Sequence, residues 1–256
     1  MAQHRFKLPE ILQIISARIA GNTAEAFCFS LALLNYDGIS AEIMAGLKYL
    51  HKKEYADALA WLIFRHLGEK LRMLGVQAIV PVPVHTKRKK ERGYNQAEEL
   101  GRGLCAFLNV DASALFRMGL SEEMFREVQR LQEAQESLWL SVKEPGRCSL
   151  ESGERNLESR RLPVCRFFLL EDMLIRGKNT KAQKALGAAE RLMNLQQAFF
   201  VSPKYLRCKA AELPEAVLLL DDIYTTGATM EACTRALLSA GVKKVFGLCV
   251  CAGRDI

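Results

Sequence analysis

Two adjacent carboxylates, Asp221 and Asp222, precede a turn made of Thr225, Thr226, Gly227, Ala228 and Thr229. Neighbouring carboxylates accept hydrogen bonds from both hydroxyls of a vicinal diol, such as that of a ribose. Three hydroxyls and a flexible glycine at the entry to a helix form a phosphate cradle. The turn's N–H groups and the positive end of the helix dipole both point at whatever occupies it. Read in order, the residues imply a ligand with a phosphate at one end and a diol beside it. The simpler alternative is a strand-turn-helix whose acidic pair and threonine-rich cap serve only the fold.

A second chemical stretch is basic. It reads Pro81-Val82-Pro83-Val84-His85-Thr86-Lys87-Arg88-Lys89-Lys90-Glu91-Arg92-Gly93-Tyr94-Asn95-Gln96, with five cations in the six positions 87–92. The run is either a solvated surface or a site for a pyrophosphate. In the second case Arg88 and Arg92 chelate phosphate oxygens bidentately, and Lys87, Lys89 and Lys90 act as point charges. His85 reads equally as a loop-packing side chain or a ligand contact. A third polar stretch, 177–187, is bounded by glycines and contains Lys181. It has the character of a loop that closes over a reactive intermediate.

The elements that must position these groups follow from the apolar pattern. Val217, Leu218, Leu219 and Leu220 form a continuous apolar run, the mark of a parallel strand buried on both faces. That puts the carboxylates at a strand end, the edge where open α/β sheets bind ligands. The helix after the turn carries Met230, Cys233, Leu237 and Ala240 on its apolar side, Gly241 caps it, and 245–251 return as a strand. Residues 76–82 form another strand, whose prolines stiffen its exit into a rigid loop and bring the basic run to the same edge.

Upstream, Leu8, Ile11, Leu12, Ile15 and Ile19 predict an amphipathic helix over 1–26. A strand over 27–36 follows, then a helix capped by Ser40 and carrying Ile43, Met44, Leu47 and Leu50, then a helix over 56–74. Lys48 and Tyr49 read as a solvated lysine and a half-buried tyrosine. Gly101-Arg102-Gly103-Leu104-Cys105-Ala106 fits the dinucleotide-binding formula, but it continues a helical pattern over 95–108 and is read as coincidence. Ser121 caps a further helix with Met124, Val128, Leu131 and Leu138 as its apolar stripe, and the polar stretch 147–161 reads as a long mobile loop. Residues 164–170 and 199–201 have strand character, and 190–195 form a short helix.

At 256 residues, half of them hydrophobic, the chain is long enough for one large core with an appendage. The formal net charge of +7 favours anionic ligands, phosphates or nucleic acid among them. No run approaches the ~18 apolar residues of a membrane span, so membrane insertion is not expected. Glu10, Gln13 and Arg18 interrupt the N-terminal apolar stretch at helical spacing, unlike a signal peptide. The eight cysteines are scattered with no C-x-x-C pair, so Cys249 and Cys251 are read as buried small hydrophobes, and no metal ligand is assigned. This usage points to the reducing cytoplasm.

The apolar run, the acidic pair and the threonine turn resemble the 5-phosphoribosyl-1-pyrophosphate (PRPP) signature of the type I phosphoribosyltransferases. With Pro81-Val82-Pro83, Arg92-Gly93-Tyr94-Asn95-Gln96-Ala97, the spaced set Asn179, Thr180, Gln183, Leu186, Arg191, Asn194, Ala198 and Phe199, and Leu47-Lys48-Tyr49, the resemblance narrows to the ComF family of competence-associated, phosphoribosyltransferase-like proteins. It covers most of 27–112 and 164–254. Many members open with a four-cysteine zinc ribbon, and none precedes Phe27 here, so a zinc-dependent contact with DNA does not follow for this chain.

The resemblance implies an α/β fold of type I phosphoribosyltransferase topology, a mostly parallel sheet flanked by helices, with N-terminal helices and a helical insertion. The expected organisation is an N-terminal region 1–75, a core of 76–112 and 164–256, and an insertion 113–163. It implies that Asp221, Asp222, Thr225, Thr226, Gly227, Ala228 and Thr229 bind PRPP together with Val84, His85 and Lys181. Mg²⁺ is then held mainly through PRPP, and Asp221, Asp222, Arg88 and Arg92 carry the transfer. The implied partners are PRPP, an acceptor that the residues do not identify, the DNA-uptake machinery and a second copy in a homodimer. The competing reading is a module that binds PRPP without turnover.

Overall fold

A six-stranded sheet carries the molecule. The computed structural model describes residues 13–15, 30–49, 52–143, 166–177, 198–207 and 212–253. In chain order the elements are β1 (Gln13–Ile15), β2 (Ser30–Asn35), α1 (Gly38–Tyr49), α2 (Glu54–Met73), β3 (Ala78–Pro81), α3 (Thr86–Arg92), α4 (Gln96–Asn109), α5 (Ala112–Arg117), α6 (Glu122–Lys143), β4 (Phe168–Leu169), β5 (Leu174–Arg176), β6 (Phe199–Val201), α7 (Pro203–Leu206), β7 (Ala216–Tyr224), α8 (Ala228–Ser239) and β8 (Lys244–Ala252). The sheet order is β1-β2-β8-β7-β3-β4, and β5 and β6 form a separate antiparallel pair. β2, β8, β7, β3 and β4 are mutually parallel, and only β1 runs against its neighbour. This is the α/β, mostly parallel, helix-flanked fold of the phosphoribosyltransferase type.

Alternation along β7 divides the core in two. Leu218 and Leu220 pack with Phe246 and Leu248 of β8 beneath Phe64, Leu67, Leu100 and Phe107 of α2 and α4. Val217 and Leu219 face the other way, against Met230, Cys233 and Leu237 of α8 and Phe199 and Val201 of β6. Both faces are covered, which is why β7 reads as an unbroken apolar run. Burying each such side chain contributes about 1.5–3 kcal/mol, which gives the site-bearing strand its rigidity. Cys249 and Cys251 are fully buried, as expected of small hydrophobes.

Three local expectations are corrected. Gln13–Ile15, inside the helix expected over 1–26, is a strand paired antiparallel with β2 through Ile14 and Leu31. Edge pairing satisfies β2's free backbone groups and overrides the local helical period. Ser40 is not the cap of α1. Asp37 takes that position: Ser40 N–H donates to Asp37 Oδ1 at 2.9 Å, and Asp37 N–H donates to Ser40 Oγ at 2.7 Å, a reciprocal closure. The rigid loop expected after Val84 is the helix α3, capped by His85, whose Nδ1 accepts from Lys87 N–H at 3.1 Å.

Ser121 does cap α6, its Oγ accepting from Met124 N–H at 3.3 Å, and Val128 is fully buried against the core. Met124, expected in the apolar stripe, is instead exposed, and Phe125 takes its place beside Phe116. The expected loop over 147–161, the expected loop over 177–187 after Gly177, and the helix over 190–195 lie outside the described residues. Among the described residues no helix is long and apolar enough to cross a membrane.

The glycines of the 101–106 formula serve packing. A Cβ on Gly103 would stand 2.9 Å from Ala60 Cβ on α2, and one on Gly101 would stand 2.8 Å from Leu169 Cδ1 on β4. Ala60 Cβ is fixed to its backbone and cannot yield. Gly103→Val is therefore expected to overpack the α2–α4 contact and cost about 1–3 kcal/mol. Thermal unfolding should show a Tm lower by ~2–4 °C for each kcal/mol, with phosphate-ligand affinity unchanged.

Candidate functional site

The site lies where one hydrogen-bond ladder stops. β3 and β7 pair through Pro81 and Leu220, and Val82 N–H donates to Leu220 O at 2.8 Å. The next rung of a parallel ladder would take Asp222 N–H to Val82 O. Both groups are diverted. Asp222 N–H turns to Asp221 Oδ1 at 2.8 Å, and Val82 O accepts from Asn95 Nδ2 at 3.0 Å. On β3's other side Pro81 and Pro83 have no N–H to extend pairing with β4. β7 nonetheless continues to Tyr224 against β8, so Asp221 and Asp222 stand within the strand, with the β3 side open.

Into that opening comes a cavity of ≈ 250 Å³. Its walls are the acidic pair with Ile223, Thr225 and Thr229, then Val82, Pro83 and Val84 after β3, and Arg88 and Arg92 of α3. Asn95, Gln96 and Ala97 at the start of α4, Lys48 of α1 and Arg176 of β5 complete it.

The cradle begins at Gly227, whose φ of 75° is left-handed and whose position gives α8 no side-chain cap. A Cβ there would collide with the Tyr224 ring, its hydroxyl first, so the turn admits only glycine. The first-turn N–H groups of α8 are consequently free for an anion, beside the threonine hydroxyls.

Two further cations complete the walls, and one of them, Lys48, expected to be solvated, is largely buried. Lys48 Nζ lies 2.8 Å from Asp222 Oδ2, with the two side chains only 15% and 20% exposed. Arg176 stacks over the Phe199 ring at 5.2 Å. Burial, with Arg88 nearby, holds its guanidinium below the usual arginine range. Arg92 is held on two sides: its Nη1 donates to Gln96 Oε1 at 3.0 Å, and its guanidinium lies 5.6 Å from the centre of the Tyr49 ring. Tyr94 O–H donates to Leu47 O. Leu47, Lys48 and Tyr49 therefore reach the basic segment, the acidic pair and the basic segment again in three successive residues. The sequence signal for Lys48 was its place in that tripeptide; the pairing itself spans β7 and α1 and has no local pattern.

The cation run is sorted by the helical period. Arg88 and Arg92, at i and i+4, line the cavity. Lys89 pairs with Glu98 at 2.9 Å, and Lys87 lies 3.9 Å from Glu91. Of the residues expected to bind ligand, Asp221, Asp222, Thr225, Thr229, Val84, Arg88 and Arg92 are brought together on one cavity, and Thr226, Gly227 and Ala228 form the turn beside it. His85 caps α3 and is not among the lining residues. Lys181 lies outside the described residues. Among those described, no group of three or more histidines, cysteines or acids is arranged to hold a metal.

Burial and the neighbouring Asp222 carboxylate push Asp221 from the ordinary 3.8 up to about 8, against the opposing pull of the Asp222 N–H, Lys48 and Arg176. A raised folded-state value means the folded protein keeps a proton that the unfolded chain has released. The stabilisation is full below about pH 4 and is lost as pH rises through about 8. Tm should therefore fall between pH 5 and 8. In Asp221→Asn that slope should flatten and Tm at pH 8 should rise, by ~2–4 °C for each kcal/mol of repulsion removed. A parent and variant with parallel pH profiles would contradict the assignment.

No family model matches the chain. The chain is 25% identical over 170 residues to competence protein F of Haemophilus influenzae. The match takes in 66% of this chain and 47% of that protein, so the chain spans about half the length of the curated relative it matches. The likeness to a distant relative of that name supports the ComF-like resemblance carried by the basic segment, the acidic pair and the threonine turn.

Proposed function

We propose that the protein binds PRPP and transfers its phosphoribosyl group to an acceptor, with release of pyrophosphate. The observation that carries this reading is the convergence of a carboxylate pair, an uncapped helix N-terminus behind a threonine turn, and three arginines on one cavity. The 5′-phosphate sits on residues 225–229, and the ribose hydroxyls donate to Asp221 and Asp222. Arg88, Arg92 and Arg176 face the pyrophosphate. The C1–oxygen bond to pyrophosphate breaks, the pyrophosphate leaves with the electron pair, and C1 forms a bond to the acceptor's nucleophilic atom, which gives up a proton. Fixed cations stabilise the charge that develops on the leaving group.

The donor set suits Mg²⁺ only in part. Two carboxylates with no third acid or histidine beside them among the described residues hold such an ion weakly, so Mg²⁺ would take most of its ligands from the oxygens of PRPP, where it would add positive charge beside the leaving group. Replacing Asp221 and Asp222 together by Asn should weaken Mg-PRPP binding at least tenfold in calorimetry above pH 8, where both are carboxylates, since hydrogen bonds to charged groups contribute about 1.5–3 kcal/mol each. Equal affinity of parent and variant would remove the ribose assignment.

The name of the relative supports a second reading, in which the site binds PRPP without turnover and the protein serves competence. Pyrophosphate release in the presence of candidate bases separates the two, since a binding module releases none. Contact with DNA through the basic run is the weaker part of that reading, because Arg88 and Arg92 line the cavity and Lys89 is tied to Glu98. We expect Mg-PRPP to compete with any DNA bound. PRPP-insensitive binding with a log-log salt slope of about −0.9 per phosphate, abolished by neutralising Lys87, Arg88, Lys89 and Lys90, would reverse this preference.

A further inference from the structure

Gln96 opens α4 and is 1% exposed, and it lines the cavity. Its carbonyl end is fixed, because Oε1 accepts from Arg92 Nη1 at 3.0 Å and an arginine N–H has no use for an amide nitrogen. The NH₂ end is therefore fixed too, and Nε2 is buried with no hydrogen-bond partner among the described residues. A buried donor left without a partner costs about 1–3 kcal/mol, and folds seldom leave one in place without a use. It sits beside the start of α4, whose N-cap Asn95 also lines the cavity.

The surroundings decide what the amide would meet. The Gln96 side chain is held by Arg92, a donor, and Arg88 lines the same cavity, with the acidic pair of β7 on that cavity as well. Both acids of the first turn of α4 are already paired, Glu98 with Lys89 and Glu99 with Lys53 and Arg102. A nucleobase edge carries donors as well as acceptors and would meet repulsion here. A phosphoryl group carries acceptors only. We infer that Gln96 is a specificity-determining residue of the cavity, its free amide N–H groups donating to a phosphoryl oxygen of the ligand's diphosphate. It is a neutral donor among cations, oriented by Arg92. Arg92 and Gln96 then act as a unit: the guanidinium meets the anion and holds the amide that meets it as well.

This inference rests on the PRPP-binding reading, and the test keeps the two apart. Calorimetry on the full chain in magnesium buffer would compare inorganic pyrophosphate with ribose 5-phosphate, for the parent, Gln96→Leu and Gln96→Glu. Gln96→Leu is expected to weaken pyrophosphate binding about tenfold and to leave ribose 5-phosphate within about twofold. The Tm of the ligand-free protein should hold or rise, because an unsatisfied donor has gone. Gln96→Glu should be weaker still for pyrophosphate, since a carboxylate would occupy Arg92 and oppose the anion; it also carries the test alone if the leucine variant fails to fold. Unchanged pyrophosphate affinity in the variants would mean the amide is satisfied by water and overturn the inference. Equal loss for both ligands with a lowered Tm would make Gln96 a structural residue and overturn it as well. A parent that binds ribose 5-phosphate but no pyrophosphate removes this subsite alone, whereas a parent that binds neither ligand nor Mg-PRPP removes the underlying reading with it.

Discussion

The bond from Val82 N–H to Leu220 O is the last rung between β3 and β7, and the site exists because nothing follows it. Had the ladder continued, Asp222 would be a residue of a closed sheet with its backbone spent on β3. Instead its N–H turns to Asp221 and the carbonyl of Val82 turns to Asn95. The side chain that draws the carbonyl away also caps α4 by accepting from Ala97 N–H at 3.1 Å. One asparagine thus separates the strands and starts the helix that walls the gap. The opening is part of the fold, with every diverted backbone group partnered, and persists without a ligand.

Several local costs meet around this gap. Two carboxylates are adjacent, a glycine is held left-handed against a tyrosine ring, and an amide donor lacks a partner. Away from the site α2 buries Leu59, Ile63, Leu67 and Leu71 at helical spacing and α1 closes with reciprocal capping bonds, although Val110 ends α4 at a left-handed φ of 48°. Local conflict gathered at one place is the pattern of a functional site, because a ligand supplies there what the protein omits. Lys48 limits the conflict. Its ion pair gives Asp222 a compensating charge and draws Asp221 down as well, while burial and then the Asp222 carboxylate raise the proton affinity of Asp221.

Much of this was legible in the sequence where the determinant is local. The run of Val217 to Leu220 encodes a doubly covered strand because each side chain has its own apolar face to fill, and the threonine turn encodes an uncapped helix because glycine alone tolerates the backbone. Legibility failed where the partner is distant in sequence. Nothing around Lys48 announces Asp222, and nothing around Arg176 announces the cavity it lines. Gln13–Ile15 has a helical apolar period, and only the unpaired edge of β2 makes it a strand. In the sequence, residues 86–92 have the character of a loop, because the prolines before them stiffen an extended chain and the lysines look solvated. The missing information was that a histidine nitrogen would cap the first turn.

The winding of 86–92 into a helix matters to the chemistry. As an extended loop, the basic run would offer its five cations to water alike, and the net charge of +7 would argue for a broad anionic surface such as nucleic acid. A helix has two sides. Its period places Arg88 and Arg92 one turn apart on the cavity and leaves Lys87 and Lys89 to Glu91 and Glu98. The arginines, which bind phosphate oxygens in pairs, face inward, and two of the lysines are drawn towards acids of the surface. Charge that looks diffuse in the sequence becomes directed once the segment is wound, and the cap that winds it belongs to the same His85 whose role the sequence left open.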